Sequence, residues 1–397
     1  MASIARKNLL QDIPRFLVAQ AGIMFAVGLV TIQTGLQSGF ARSSSLIIDQ
    51  STADIWVSSK NMVHLGLTLP IPYERLTQAQ QVAGVDRAEA LIIRGVLWRD
   101  PEDNIGSVTV IGSEPEGQLF SPWNITQGRV GNLKEPYTVF VDEGSLDGLN
   151  VKGIGNSAKL DNLKAKVVGL TKGTKSLVLG SLIFTSLESA KTYVNPLLNT
   201  KPPADQSFPT PEPTKKLSST DSITFVLVRA KPGEDLQSLK KRLEAALPDT
   251  RAYTRSQMAL QTQSYWQKRS GIGFILGMGA VVGIIVGVVI VGQILYSSVS
   301  DHIKEFGTLK AMGASDWVIY SVIIEQALWM AVLGYLPGMA LCLGVAAWTS
   351  ATQAIMILIT PGSAAAILGI TVVMCISSAF FAIQKVTRVD PAMVFKA

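Results

Sequence analysis

The chain has two histidines, His64 and His302, far apart and with no cysteine near either. Neither a zinc site nor a His-based catalytic triad has its raw material there. Cys342 and Cys375 both sit in apolar runs, where they read as small hydrophobes rather than as a bridge or metal ligands. The stretch "GLTKGTKS", Gly169 to Ser176, has the residue types of a phosphate loop but not the spacing. A Walker A motif places four residues between its glycines and Lys directly after the second; here three intervene and Thr174 separates Gly173 from Lys175. It reads as a hairpin turn. No self-contained catalytic or metal chemistry is expected.

Glu325 stands about two turns inside a long apolar run, where a carboxylate is costly. A proton relay would need a second acid or a histidine at that depth, and none is present, so Glu325 reads as an interfacial or helix-packing carboxylate. Gly279, Gly283 and Gly287 recur at four-residue intervals in another apolar run. On a helix they form a smooth strip for close approach of a second helix. The pattern does not say whether that helix belongs to the same chain or to a second copy.

The elements that must position these residues are membrane spans. Of 397 residues, 48% are hydrophobic and 16% charged, and the mean hydropathy is +0.32. The formal charge of +6 is spread along the chain and forms no basic stripe with interleaved aromatics, so no nucleic-acid partner is expected. A bilayer core of about 30 Å needs roughly 20 apolar helical residues. Four segments meet this: 16–40, 271–295, 317–348 and 364–384. The first reads as a retained anchor, because it lacks the cleavage site of a signal peptide.

Arg6, Lys7 and Arg15 precede the first span, Lys304 and Lys310 lie between the second and third, and Lys385, Arg388 and Lys396 follow the fourth. The positive-inside rule then places both termini in the cytoplasm of a plasma-membrane protein, against the opposing Arg42, Lys268 and Arg269. The expected order is an amphipathic cytoplasmic start (1–15), an extracytoplasmic insertion (41–270), a cytoplasmic helix and turn (296–316), a short link (349–363) and a cytoplasmic tail (385–397). Within the insertion, "ADIWVSS", "SVTVIGS", "YTVFVD", "KAKVVGL" and "SITFVLVRA" read as strands. "YERLTQAQQVA" and "GEDLQSLKKRLEAAL" have helical spacing, with Leu236, Leu239, Leu243 and Leu247 on one face. The insertion is therefore expected to be α+β, in two subdomains either side of a proline-rich loop at 201–216.

Between the second and third spans the helix is expected to run on through "DHIKEFGTLKAM", with Ile303, Phe306, Leu309 and Met312 on a shared face. Gly313 permits a turn, and Ser315 can cap the next helix. A short amphipathic helix with an apolar knob and charged rim suits a groove on a cytoplasmic partner, or alternatively the membrane surface.

This segment resembles one in MacB/FtsX-type ABC permeases, where an "E-I-G-I-x-x-A-x-G-A" element leads into a span with "E-A" and spaced glycines. Glu305, Phe306, Gly307, Lys310, Ala311, Gly313 and Ala314 occupy the first element; Glu325, Gly334, Gly338 and Gly344 occupy the second. The ending "TRVDPAMVFKA" is similar to the family's "R-L-D-P-V-E-A-L", and the opening fits its amphipathic start, with Arg15, Gly22 and Ile23. The chain looks most like the DevC branch of cyanobacterial exporter permeases, departing from it at Phe306 and in the tail.

The resemblance implies a one-plus-three arrangement of spans around a MacB-like α+β domain, working as a homodimer. It implies that residues 305–314, Leu309 and Met312 included, couple the spans to a separate cytoplasmic ABC ATPase dimer. ATP and magnesium would bind there, not on this chain. It also implies a periplasmic adaptor and a TolC-like outer-membrane duct for a lipidic or other periplasmic substrate. The alternatives are an FtsX-like regulator of a cell-wall hydrolase and a lipoprotein-releasing permease.

Overall fold

The computed structural model describes residues 13–161, 163–194, 216–269, 271–352 and 357–387. The amphipathic start up to residue 12, most of the proline-rich loop and the tail motif from Arg388 lie outside them. The chain divides into two units, one made of residues 1–39 with 271–397 and one of residues 40–270.

Among the described residues, four helices are long and apolar enough to cross a membrane. They are α1 (Ile13–Gln50), α6 (Ile272–Asp301), α8 (Asp316–Thr352) and α9 (Pro361–Thr387). Each outruns the apolar stretch that marks it. Helix α1 continues ten residues past the expected boundary at Phe40, because Ile47 and Ile48 carry a buried apolar face onward into the inserted domain. Pro337 lies inside α8.

The described residues of the inserted domain, 40–270, form twelve strands: β1 (Ile55–Ser59), β2 (Ile71–Pro72), β3 (Val85–Arg99), β4 (Ile105–Ser113), β5 (Ile125–Gln127), β6 (Thr138–Asp142), β7 (Ser157–Leu160), β8 (Leu163–Thr171), β9 (Ser181–Ser186), β10 (Ser222–Ile223), β11 (Phe225–Ala230) and β12 (Thr250–Thr254). Its helices are α2 (Glu74–Gln80), α3 (Leu187–Val194), α4 (Leu236–Ala246) and α5 (Arg255–Arg269). Each strand segment anticipated from the sequence contains strand, but "SITFVLVRA" breaks at Thr224 into β10 and β11, which belong to different sheets. The main ladder runs β12-β1-β11-β3-β4-β9-β6-β8-β5, with β2 and β10 apart as a pair. The fifteen-residue β3 joins its halves: Val85–Leu91 pairs with β11, and Ile92–Arg99 with β4. The two anticipated subdomains therefore share a strand within one compact unit.

Alternate side chains of each strand enter different cores, as the two-residue period of a pleated strand requires. Ile55, Val57, Val139, Val141, Val226 and Val228 join a cluster covered by α2, α3 and α4, through residues such as Ala79, Ala190 and Leu243. Trp56, Phe140, Phe225 and Leu227 join another, covered by Ile47 and Ile48 of α1 and Met258 of α5. Of the leucine face anticipated on α4, Leu239, Leu243 and Leu247 are buried and Leu236 packs at the edge. Asp235 caps this helix, accepting from the Ser238 N–H at 2.8 Å.

The "GLTKGTKS" stretch is not a hairpin. It joins β8 to β9, which are separated in the sheet by β6. Asp142, at the end of β6, accepts hydrogen bonds from the Thr174 N–H (2.7 Å) and hydroxyl (3.0 Å) and so fixes the crossing.

The spanning unit as a candidate coupling site

The segment between α6 and α8 does not prolong α6. Helix α6 ends at Asp301, where the Ser298 carbonyl accepts from both the His302 backbone N–H (3.3 Å) and its ring Nδ1 (2.9 Å). A separate helix, α7 (Ile303–Ala311), follows. Gly313 then turns the chain with φ of +91°, a left-handed conformation that residues bearing a Cβ rarely adopt. Lys310 and Asp316 close the turn with an ion pair of 2.9 Å.

The expected shared face of α7 is split. Phe306 is 3% exposed and belongs to the buried core of the spanning helices, with Val299, Ile319 and Ile323. Met312, six residues on and roughly 240° round a helix, is 71% exposed. Phe306 is thus not an outward knob; that description fits Met312 and Trp317, which is 73% exposed. Sequence reasoning passed over Trp317, although a tryptophan beside a left-handed turn was visible. Glu305 is exposed, Gly307 buried and Ala314 half-buried, while the side chains of Leu309 and Ala311 lie outside the described set. Glu325 is half-buried within α8.

The glycine strip packs within the chain. A Cβ at Gly279 would meet the Gln33 side chain at 2.6 Å, and one at Gly283 would meet Leu29 at 3.1 Å, both on α1. At Gly287 it would strike Met374 of α9 and, at 2.8 Å, Ala26. Gly334 and Gly338 of α8 do the same for the other side of α1: a Cβ would come within 2.6 Å of Ile23 and 3.3 Å of Met24. Small residues thus let α6 and α8 close on α1. Helices in lipid associate by such packing because both states are apolar. Arg15 of α1 and Asp301 of α6 pair at one end of this contact.

Comparison with known proteins agrees with this architecture. Residues 16–246, more than half the chain, match the MacB-like periplasmic core domain, and residues 277–391 match the FtsX-like permease C-terminal region. No curated protein matches the sequence. Among solved structures, the extracellular domain of the ABC-type transporter YknZ from Gram-positive bacteria is 12% identical, covering 51% of this chain and 99% of that one at a TM-score of 0.34. The periplasmic region of MacB from Actinobacillus actinomycetemcomitans is 9% identical over 52% of this chain and 90% of that one, at 0.33. A domain of a permease protein from Porphyromonas gingivalis is 12% identical over 50% and 88%, at 0.31. In this family the membrane chain is generally a non-catalytic subunit that works with an ABC ATPase. With its core domain inserted between apolar helices and its permease region following, the chain belongs to the MacB/FtsX-like ABC transporter permeases.

Proposed function

We propose that this chain is the membrane subunit of a DevC-like exporter, working as a homodimer and driven by a separate cytoplasmic ATPase that binds ATP and magnesium. The ATPase grips the turn between α7 and α8, and the spans carry its closure to the periplasmic domains. These move a lipidic or other periplasmic substrate toward an adaptor and a TolC-like duct. The observation that carries this reading is the two-sided build of the turn. Phe306 on one side is locked into the helix core, while Met312 and Trp317 on the other stand out uncovered, held apart by the Gly313 turn and the Lys310–Asp316 pair. Such an element passes a push on an exposed surface to a packed interior.

Trp317→Ala combined with Met312→Ala tests it. Aromatic anchors carry a large part of interface energy, about 2 kcal/mol or more each. The double variant should insert and melt like the parent but lose co-purification of the ATPase and stimulation of its hydrolysis. Unchanged recruitment and stimulation would refute the coupling role of this turn.

A further inference from the structure

Two loops of the inserted domain are strapped to helices, one to the end of α1 that leads out of the apolar stretch and one to α5. In the loop between β8 and β9, the Leu177 N–H donates to the Ser43 hydroxyl (2.7 Å) and the Ser176 hydroxyl to the Ser43 carbonyl (3.2 Å). In the loop between β1 and β2, the Leu65 N–H donates to the Thr262 hydroxyl on α5 (3.3 Å), and the His64 ring stacks on Tyr265 with centroids 4.4 Å apart. The loops touch each other, since a Cβ on Gly66 would lie 2.9 Å from Leu179. Each presents a bare leucine, Leu67 at 52% and Leu177 at 38% exposure. Arg42, Lys175 and Lys268 are exposed on the same straps.

The helix sets the depth of this surface. Arg15 and Arg42 are the charged residues that bound the uncharged stretch of α1. At 1.5 Å per residue they are about 40 Å apart, close to the full thickness of a bilayer with its headgroups. With α1 crossing along the bilayer normal, Arg42 and Ser43 would lie at headgroup level, and Ser43 bonds the β8–β9 loop to the helix there. Next to it Trp266 packs edge-on against Phe40 (5.8 Å) and His64 (5.2 Å). Aromatic rings of this kind collect at membrane–water interfaces, and Lys and Arg reach from there to lipid phosphates.

We propose that the β1–β2 and β8–β9 loops form a lipid-contact surface, seating Leu67 and Leu177 among the headgroups and upper acyl chains while Arg42, Lys175 and Lys268 bind the phosphates. It rests on α1 crossing the bilayer and needs no ATPase, so it stands or falls separately from the coupling role of the α7–α8 turn.

The test places spin labels at Leu67→Cys, Leu177→Cys and, as a remote exposed control, Ile105→Cys, each in full chain with Cys342→Ala and Cys375→Ala. The proteins are reconstituted in nanodiscs of phosphatidylethanolamine and phosphatidylglycerol. Collisions with oxygen, which partitions into lipid, should exceed those with a water-soluble nickel chelate at 67 and 177, and the order should reverse at 105. Arg42→Glu with Lys175→Glu should shift the two loop labels toward the chelate. Chelate-dominated labels at both loops overturn the proposal, as does protection that arises only when a soluble periplasmic protein is added, which would make the surface a protein-docking site.

Discussion

Phe306 and Trp317 flank the same turn, and their burial divides stability from recognition between them. Phe306→Ala removes a ring from the buried cluster that also holds Val299, Ile319 and Ile323, a change that costs about 3–5 kcal/mol in well-packed interiors. It should lower the melting temperature of the purified permease, whereas Trp317→Ala, exposed on the turn, should leave it within error. Equal melting of the two variants would mean that α7 is not packed as described. His64 offers a second single-residue test. Burial holds its imidazole below the ordinary histidine value. As the pH falls through about 6.5 the unfolded chain takes up a proton and the folded chain does not, so stability declines below that pH and levels off under the folded-state value. His64→Phe keeps a ring against Tyr265 but cannot titrate. Melts between pH 5 and 8 should show this decline in the parent and a flatter profile in the variant.

At the scale of elements, the glycine strip separates packing from helix propensity. Gly287 and Gly277 lie on the same helix, but a Cβ at Gly287 would strike Met374 and Ala26, while one at Gly277 meets nothing within 4 Å. Replacing each with alanine gains roughly the same propensity, about 1 kcal/mol, so the difference isolates the contact. Gly287→Ala should destabilise the helix bundle by about 1–3 kcal/mol net of that gain, in the range of overpacked cores. Gly277→Ala should be neutral or stabilising, and a reversed order in detergent melts would show that α6 does not pack on α1 and α9. The four-residue spacing of these glycines was legible in the sequence, but their partner was not, because spacing defines a face and says nothing of what meets it. The inserted domain shows the same division. Short β-branched runs such as "YTVFVD" marked β6, whereas β3, "VDRAEALIIRGVLWR", mixes Ile92, Ile93, Val96 and Trp98 with arginines, alanines and a glycine in no strict alternation, so its length was not announced. It is held by β11 along one half and β4 along the other, and pairing of this kind overrides local propensity. The break at His302 was hidden for a related reason: it is a change of backbone conformation at one residue, with φ of −99° and ψ of 19°, which hydrophobic periodicity does not register.

For the whole molecule, the sequence pattern assigns a side of the membrane to the α6–α8 connection and to the inserted domain. Hydrophobic runs announced the four long helices, since about 20 apolar residues must bury their backbone polar groups in helix to cross lipid. Their orientation rests on charge alone. Lys304 and Lys310 lie on the α6–α8 connection, whereas Arg42 and Lys268 flank the inserted domain. Positive charges near short loops weigh more than those beside a large translocated domain. The connection should therefore be cytoplasmic and the inserted domain periplasmic. Two exposed positions on opposite sides of that assignment test it: Ile105, beside the β3–β4 turn, and Thr308, on α7. With Cys342 and Cys375 replaced by alanine, Ile105→Cys should react with a membrane-impermeant maleimide in intact spheroplasts, and Thr308→Cys should react only after lysis. Labelling of Thr308→Cys in intact cells would place the α6–α8 connection outside, away from ATP, and would remove the basis for coupling through Trp317 even if the helix packing proved correct.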